Sequence, residues 1–258
     1  MKNVQAQPVR RALKPLARTI GIALVLYLAV VALVYFRQRA LLFFPSHHVG
    51  STDLKPWSDD SARVIGFCRE ATNARTIWLM MHGNGGQASD RGYVLERMSA
   101  ADSLYVLEYP GYGLREGKPT LESMNRAASE AYQLLRVRNP GTPVCVLGES
   151  IGSGPACALA EQKPDKILLV VPFDTLANVA AKKFFLLPVR LLLRDRWNNV
   201  ESLKHYTGPV EIYGASDDGI IPMVHAERLA KQVPGAKFTR IGGGHNDWSD
   251  SDLVKLER

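Results

Sequence analysis

Three residue types in this sequence suit the activation of a hydroxyl: a serine at 150, an aspartate at 217 or 218, and a histidine at 245. A serine hydroxyl is a poor nucleophile at neutral pH. It needs a base to take its proton, and the base needs a carboxylate to orient it. Ser150 stands in Gly148-Glu149-Ser150-Ile151-Gly152, after the apolar run 143–147 and before the small-residue run 153–160. That order reads as strand, sharp turn, helix. The glycines stand where side chains would collide with neighbouring strand and helix, and the serine is exposed at the tip. Alone, the five-residue pattern also occurs in ordinary glycine-rich turns.

The acid and base add weight because they follow in the order Ser, Asp, His. Residues 209–214 read as a strand running into Ala215-Ser216-Asp217-Asp218-Gly219-Ile220-Ile221-Pro222. Residues 236–241 read as the last strand, ending in Gly242-Gly243-Gly244-His245-Asn246-Asp247. Both candidates therefore lie just past strand C-termini, where open α/β sheets hold their ligands. A third strand, 76–81, runs into His82-Gly83-Asn84-Gly85-Gly86. A developing oxyanion needs two converging backbone N–H donors in a turn free of bulk. Ile151 supplies one and Asn84 the other. Taken singly, His245 reads as a loop histidine and the 82–86 turn as a plain connection.

Those segments, with Tyr109-Pro110-Gly111-Tyr112-Gly113, residues 116–120 and Pro172-Phe173-Asp174-Thr175-Leu176, resemble an α/β-hydrolase of the Bem46 type. That type joins bacterial membrane-linked hydrolases with eukaryotic α/β-hydrolase-domain lipases and depalmitoylases. The resemblance runs from about residue 41 onward. It implies an α/β-hydrolase fold, a serine nucleophile, no metal and no organic cofactor. One departure stands out. Such proteins usually place the triad acid three residues after a strand-terminal glycine and four before a proline. Counting from Gly214 gives Asp217, and counting back from Pro222 gives Asp218. Asp218 is favoured, because Ile220, Ile221 and Pro222 should dock the next helix and fix the register. Asp217 stays open as the alternative, with a turn-stabilising role if it is not the acid.

The elements that must position these residues follow from the pattern. Strand-like runs recur at 62–68, 75–81, 103–109, 143–147, 166–171, 209–214 and 236–241, with helix-length segments such as 121–138 and 223–232 in later gaps. Alternating strand and helix predicts a mostly parallel, doubly wound α/β sheet in one domain, 61–258. Between 174 and 208 lies an insertion read as a short lid. Its stretch 182–194, Lys-Lys-Phe-Phe-Leu-Leu-Pro-Val-Arg-Leu-Leu-Leu-Arg, is apolar with basic punctuation. It reads equally as an acyl-chain wall or membrane-facing cap and as one helix packed on the sheet.

Net charge is +7, yet all 25 acidic residues lie from Asp53 onward, and seven basic residues precede it. The remainder balances, so the excess belongs to the N-terminal segment and not to a nucleic-acid-binding face. Residues 19–36 carry no charge and span roughly 27 Å as a helix, close to a hydrocarbon core. We read 1–18 as a basic tail, 19–36 as a transmembrane anchor and 37–60 as a linker. The run is long for a cleaved signal peptide, and no A-x-A site closes it. Five positive charges precede the span and two follow it. The catalytic domain is therefore expected on the non-cytoplasmic side. Cys68, Cys145 and Cys157 give no disulfide framework.

The combined expectation is a membrane-anchored serine hydrolase cleaving ester or thioester bonds of a small-molecule or lipid-like acyl substrate. Ser150 attacks, His245 moves the proton, Asp218 orients His245, and the Asn84 and Ile151 N–H groups hold the oxyanion. The alternatives are a non-catalytic membrane-tethered binding protein on the same scaffold, or a peptidase. His225 is the alternative base.

Overall fold

The computed structural model describes residues 7–48 and 52–258, with side chains from residue 15 onward. The chain divides after Leu42 into two units. Residues 1–6 of the basic tail lie outside the described residues, and 7–14 are described in backbone only.

The first unit is one helix, α1 (Gln7–Leu42), with Pro15 inside it. From Pro15 to Leu42 it is long and apolar enough to cross a membrane. Leu24, Val25, Leu26, Leu33 and Phe36 are all exposed along it. A helix apolar all round finds no favourable surface in water, whereas hydrocarbon suits it and satisfies none of its backbone, which the helix pairs internally. The helix continues six residues beyond the span read from sequence.

The second unit is built on an eight-stranded sheet. Its strands are β1 (Lys55–Ser58), β2 (Val64–Arg69), β3 (Ile77–Met81), β4 (Ser103–Leu107), β5 (Val144–Glu149), β6 (Ile167–Val170), β7 (Val210–Ala215) and β8 (Lys237–Ile241). Their spatial order is β8-β7-β6-β5-β3-β4-β2-β1. β1 and β2 pair antiparallel, as do β2 and β4, and every other pairing is parallel. Every residue of β3, β4, β5 and β6 is buried. This is why those runs read as continuously apolar and not as alternating.

All seven strands read from the sequence are present. β1 was not foreseen, and it lies inside the stretch read as linker. Lys-Pro-Trp-Ser has no apolar alternation, and a proline is tolerated there because the strand forms the sheet's edge.

Parallel strands put the C-terminal ends of β3, β5, β6, β7 and β8 on one edge. The insertion after β6 also leaves from that edge. It forms three short helices, α4 (Leu176–Lys183), α5 (Val189–Leu192) and α6 (Asn199–Leu203), after α2 (Leu121–Arg138) and α3 (Ser153–Ala158) and before α7 (Val224–Gln232). Its apolar stretch is thus not one helix. Phe184 leaves helical geometry, and Pro188 cannot continue a helix begun before it.

Candidate active site

Ser150 sits at φ +54°, in the left-handed region that a side chain disfavours. The turn there is tight because β5 must deliver the chain directly into α3. A Cβ on Gly148 would stand 2.7 Å from Ala156 Cβ and 2.8 Å from Ser153 Cα. One on Gly152 would collide with the backbone carbonyls of Met81 and His82. Both glycines are therefore required by close approach, and the second approach seats the serine turn against the end of β3. Ser153 donates its hydroxyl to the Ser150 carbonyl at 2.6 Å, and Asn199 Nδ2 donates to Ser153 Oγ at 3.0 Å.

His245 and Asp218 reach this serine from the ends of β8 and β7. His245 Nε2 lies 2.7 Å from Ser150 Oγ, and its Nδ1 lies 2.7 Å from Asp218 Oδ2. A carboxylate only accepts, so Nδ1 carries the proton and Nε2 accepts from the serine hydroxyl. The other Asp218 oxygen accepts from the Ile220 and Ile221 N–H groups, at 2.8 and 2.7 Å. Both carboxylate oxygens are engaged and the residue is buried, which fixes the imidazole's orientation. Asp217 is exposed. It accepts the Ser216 hydroxyl at 2.9 Å, and its N–H donates to Gly243 at 3.0 Å. The turn thus gives one aspartate to the histidine and the other to its own backbone.

The 82–86 turn lies across from Ile151. His82 Nδ1 donates to the Gly83 carbonyl at 2.7 Å, holding one side of the Gly83–Asn84 peptide. The Asn84 side chain accepts from Tyr112 Oη at 2.8 Å and from the Phe44 N–H at 3.1 Å. Phe44 and Pro45 pair in parallel with Gly85 and Gly86. This short lead-in, beyond the sheet, braces the turn that carries Asn84.

Glu149 is a member of the site that sequence reasoning passed over. It is buried beside Ser150. Its carboxylate accepts from the Gly83 N–H at 2.7 Å, from Trp248 Nε1 at 3.0 Å and from Tyr93 Oη at 3.1 Å. Burial pushes this carboxyl upward, but Arg91, Trp248, the Gly83 N–H and His82 together outweigh it and hold it below the ordinary carboxylate range. Arg91 in turn donates to the Gly85 carbonyl. One anion therefore joins the serine turn, the Gly83 turn and the segment following His245.

His225 is elsewhere engaged. Its Nδ1 lies 2.7 Å from Asp174 Oδ1, and both side chains are buried. Burial raises the Asp174 carboxyl, and His225, Thr175 and Asn178 outweigh that and lower it. The cysteines are buried and free. Burial pushes the Cys68 thiol up to about 11 and Cys145 up to about 12, which makes them core residues and not nucleophiles. Among the described residues, no cluster of three or more His, Cys, Asp or Glu side chains is arranged to hold a metal ion.

No protein-family model matches the chain. An uncharacterized protein of Mycobacterium tuberculosis (strain ATCC 25618 / H37Rv) is 28% identical over 235 residues, 84% of each chain. Human alpha/beta hydrolase domain-containing protein 17B is 29% identical over 192 residues, 70% of this chain and 64% of its own. Among solved structures, the Pyrococcus furiosus esterase Pf2001 superposes with a TM-score of 0.60 at 12% identity, over 80% of this chain and 95% of that one. The chain has the α/β-hydrolase fold. The Bem46 type read from its motifs agrees with these relatives, and the superposition on the esterase shows a shared fold. Lysophosphatidylserine lipase ABHD12 of Xenopus tropicalis is a further relative of the hydrolase, 24% identical over 208 residues, 71% of this chain and 54% of its own.

Proposed function

We propose that this hydrolase is a membrane-anchored serine esterase or thioesterase acting through an acyl-enzyme. The observation that carries the reading is the unbroken hydrogen-bonded line from Ser150 through His245 to Asp218, with 2.7 Å at each link. In the reaction, His245 Nε2 takes the Ser150 proton as Oγ attacks the acyl carbonyl. The oxyanion is held by the Asn84 and Ile151 N–H groups. Asp218 stabilises the imidazolium that forms. His245 then gives its proton to the departing alkoxide or thiolate. Water, deprotonated by His245, releases the acid and restores the serine.

Lipid-like acyl esters are the substrate class we favour. A relative named as a lysophosphatidylserine lipase supports it, and so does the apolar helix α1. We assign α1 as the anchor. The excess of basic residues before it favours a cytoplasmic N-terminus, with the hydrolase domain on the other face.

A fluorophosphonate probe tests the central claim. The full chain should be labelled at Ser150, and Ser150→Ala should not be labelled. Equal labelling of the two, or none of a folded wild type, would remove the serine from the mechanism. A reporter active only outside the cytoplasm, fused after Arg258, tests orientation: a silent but well-expressed fusion reverses it.

A further inference from the structure

The segment between β6 and β7 has a pinned base and an exposed tip. At the base, the Leu176 N–H donates to the Trp197 carbonyl at 3.0 Å, and the Asn199 N–H donates to Asp174 at 2.9 Å. Asn199 Nδ2 also donates to Phe173, at 2.9 Å. The Trp197 ring occupies the space above Gly154 that a side chain there would need. The base is therefore fastened to α3, directly after the nucleophile turn.

At the tip, Phe185 is 78% exposed, Leu186 72% and Leu191 78%, with Phe184 partly exposed beside them. Val189 and Leu193 are buried. α5 thus packs one side inward and presents Leu191 outward. Elsewhere in this unit, large exposed apolar residues occur singly along the chain, as at Val64, Leu114, Val137 and Leu253. Single ones are ordinary, whereas four within eight residues are not. The charge along this stretch has one sign. Lys182, Lys183, Arg190 and Arg194 punctuate the tip, and no acidic residue lies between Asp174 and Asp195.

An exposed apolar cluster on a stretch whose only charges are cations matches the surface of a bilayer containing anionic lipids: acyl chains for Phe185, Leu186 and Leu191, headgroups for the lysines and arginines. We propose that this tip docks into such a surface. Docking would turn the C-terminal edge of the sheet, which carries Ser150, toward the lipid. The tip would then deliver substrate from the bilayer and not from water. The proposal goes beyond the esterase reading and does not depend on it, since lipid contact needs no turnover.

The test reads contact directly, in the full chain reconstituted into vesicles. The native thiols are buried, so a cysteine placed by Phe185→Cys takes a bimane label selectively. Leu191→Cys gives a second reading from the other side of the tip. Val137→Cys is the control. Its residue is 79% exposed at the end of α2, at the opposite edge of the sheet. With a spin label on the upper acyl chain of the lipid, quenching at 185 and 191 should exceed that at 137 by about threefold or more when phosphatidylglycerol is present. Lys182→Glu with Lys183→Glu, or phosphatidylcholine alone, should lower it toward the control. Equal quenching at tip and control would overturn the docking surface, whether or not the protein hydrolyses esters. Quenching at the tip that ignores phosphatidylglycerol would overturn the electrostatic part.

Discussion

The base and the tip of the segment between β6 and β7 are built on opposite terms. At the base, Asn199 and Trp197 are buried, and they tie the segment to the serine turn through named hydrogen bonds and close packing. At the tip, ten or so residues away, side chains of equal apolarity face outward. The residues proposed to handle a proton are held from several sides at once. Those facing the surroundings are left open on one side. A change at the base should therefore be felt in chemistry and stability together, and a change at the tip in neither, unless lipid is present.

The sharpest break lies at the proposed nucleophile. Ser150→Ala should reduce kcat by on the order of 10⁶-fold on a water-soluble ester, as loss of a triad serine does, while circular dichroism stays native. Residual turnover above about a hundredth of wild type would remove Ser150 from the chemistry. Next comes the proposed acid. Asp218→Asn should cost about 10⁴-fold in kcat by leaving His245 in the wrong tautomer. Asp217→Asn touches only its own turn and should cost far less. The reverse ranking would move the orienting role to Asp217.

Glu149→Gln should act on both chemistry and stability. An amide cannot accept from three donors with one oxygen, and it removes the main counter-charge of Arg91, leaving Asp90. We expect a loss of roughly 3 kcal/mol in unfolding free energy, and a fall in kcat larger than any change in KM as the Gly83 turn loosens. The pH dependence has a definite sign. The Glu149 carboxyl is depressed in the folded state, so its stabilisation is full above the ordinary value of 4.5 and is lost as pH falls through the lower folded value. Urea titrations across acid pH should show a shallower decline for the variant. An equal decline would assign the acid sensitivity to other carboxylates, such as Asp174. The smallest effect belongs to the tip. Phe185→Ser should change melting and soluble-ester turnover by no more than about 0.5 kcal/mol, yet lower the rate on a bilayer-embedded ester. Equal losses on both substrates would make the tip part of the site and dissolve the contrast.

Much of the site was legible because its residues sit next to local signals. Ser150 is bracketed by glycines and His245 follows a glycine run. Asp217 and Asp218 gave conflicting counts because the turn has one extra residue, and sequence cannot say which carboxylate the Ile220 and Ile221 N–H groups choose. Glu149 was invisible for a different reason. Its partners Gly83, Tyr93 and Trp248 lie 66, 56 and 99 residues away, so its role exists only once the sheet is assembled. β1 was missed because an edge strand needs no alternation. The break in the 182–194 stretch was missed because an apolar run containing one proline does not say on which side each half will bury its residues.

The left-handed backbone at Ser150 has a consequence for how stable this protein is allowed to be. A side chain held at φ +54° costs on the order of 1 kcal/mol or more that a glycine would not. Ser150→Gly should therefore be inert yet melt above the wild type. The most stable version of this turn is one that selection for turnover would discard. The margin it gives up must be made good by the fully buried strands on either side, so a mutation that weakens β3 or β5 erodes the reserve on which catalysis draws.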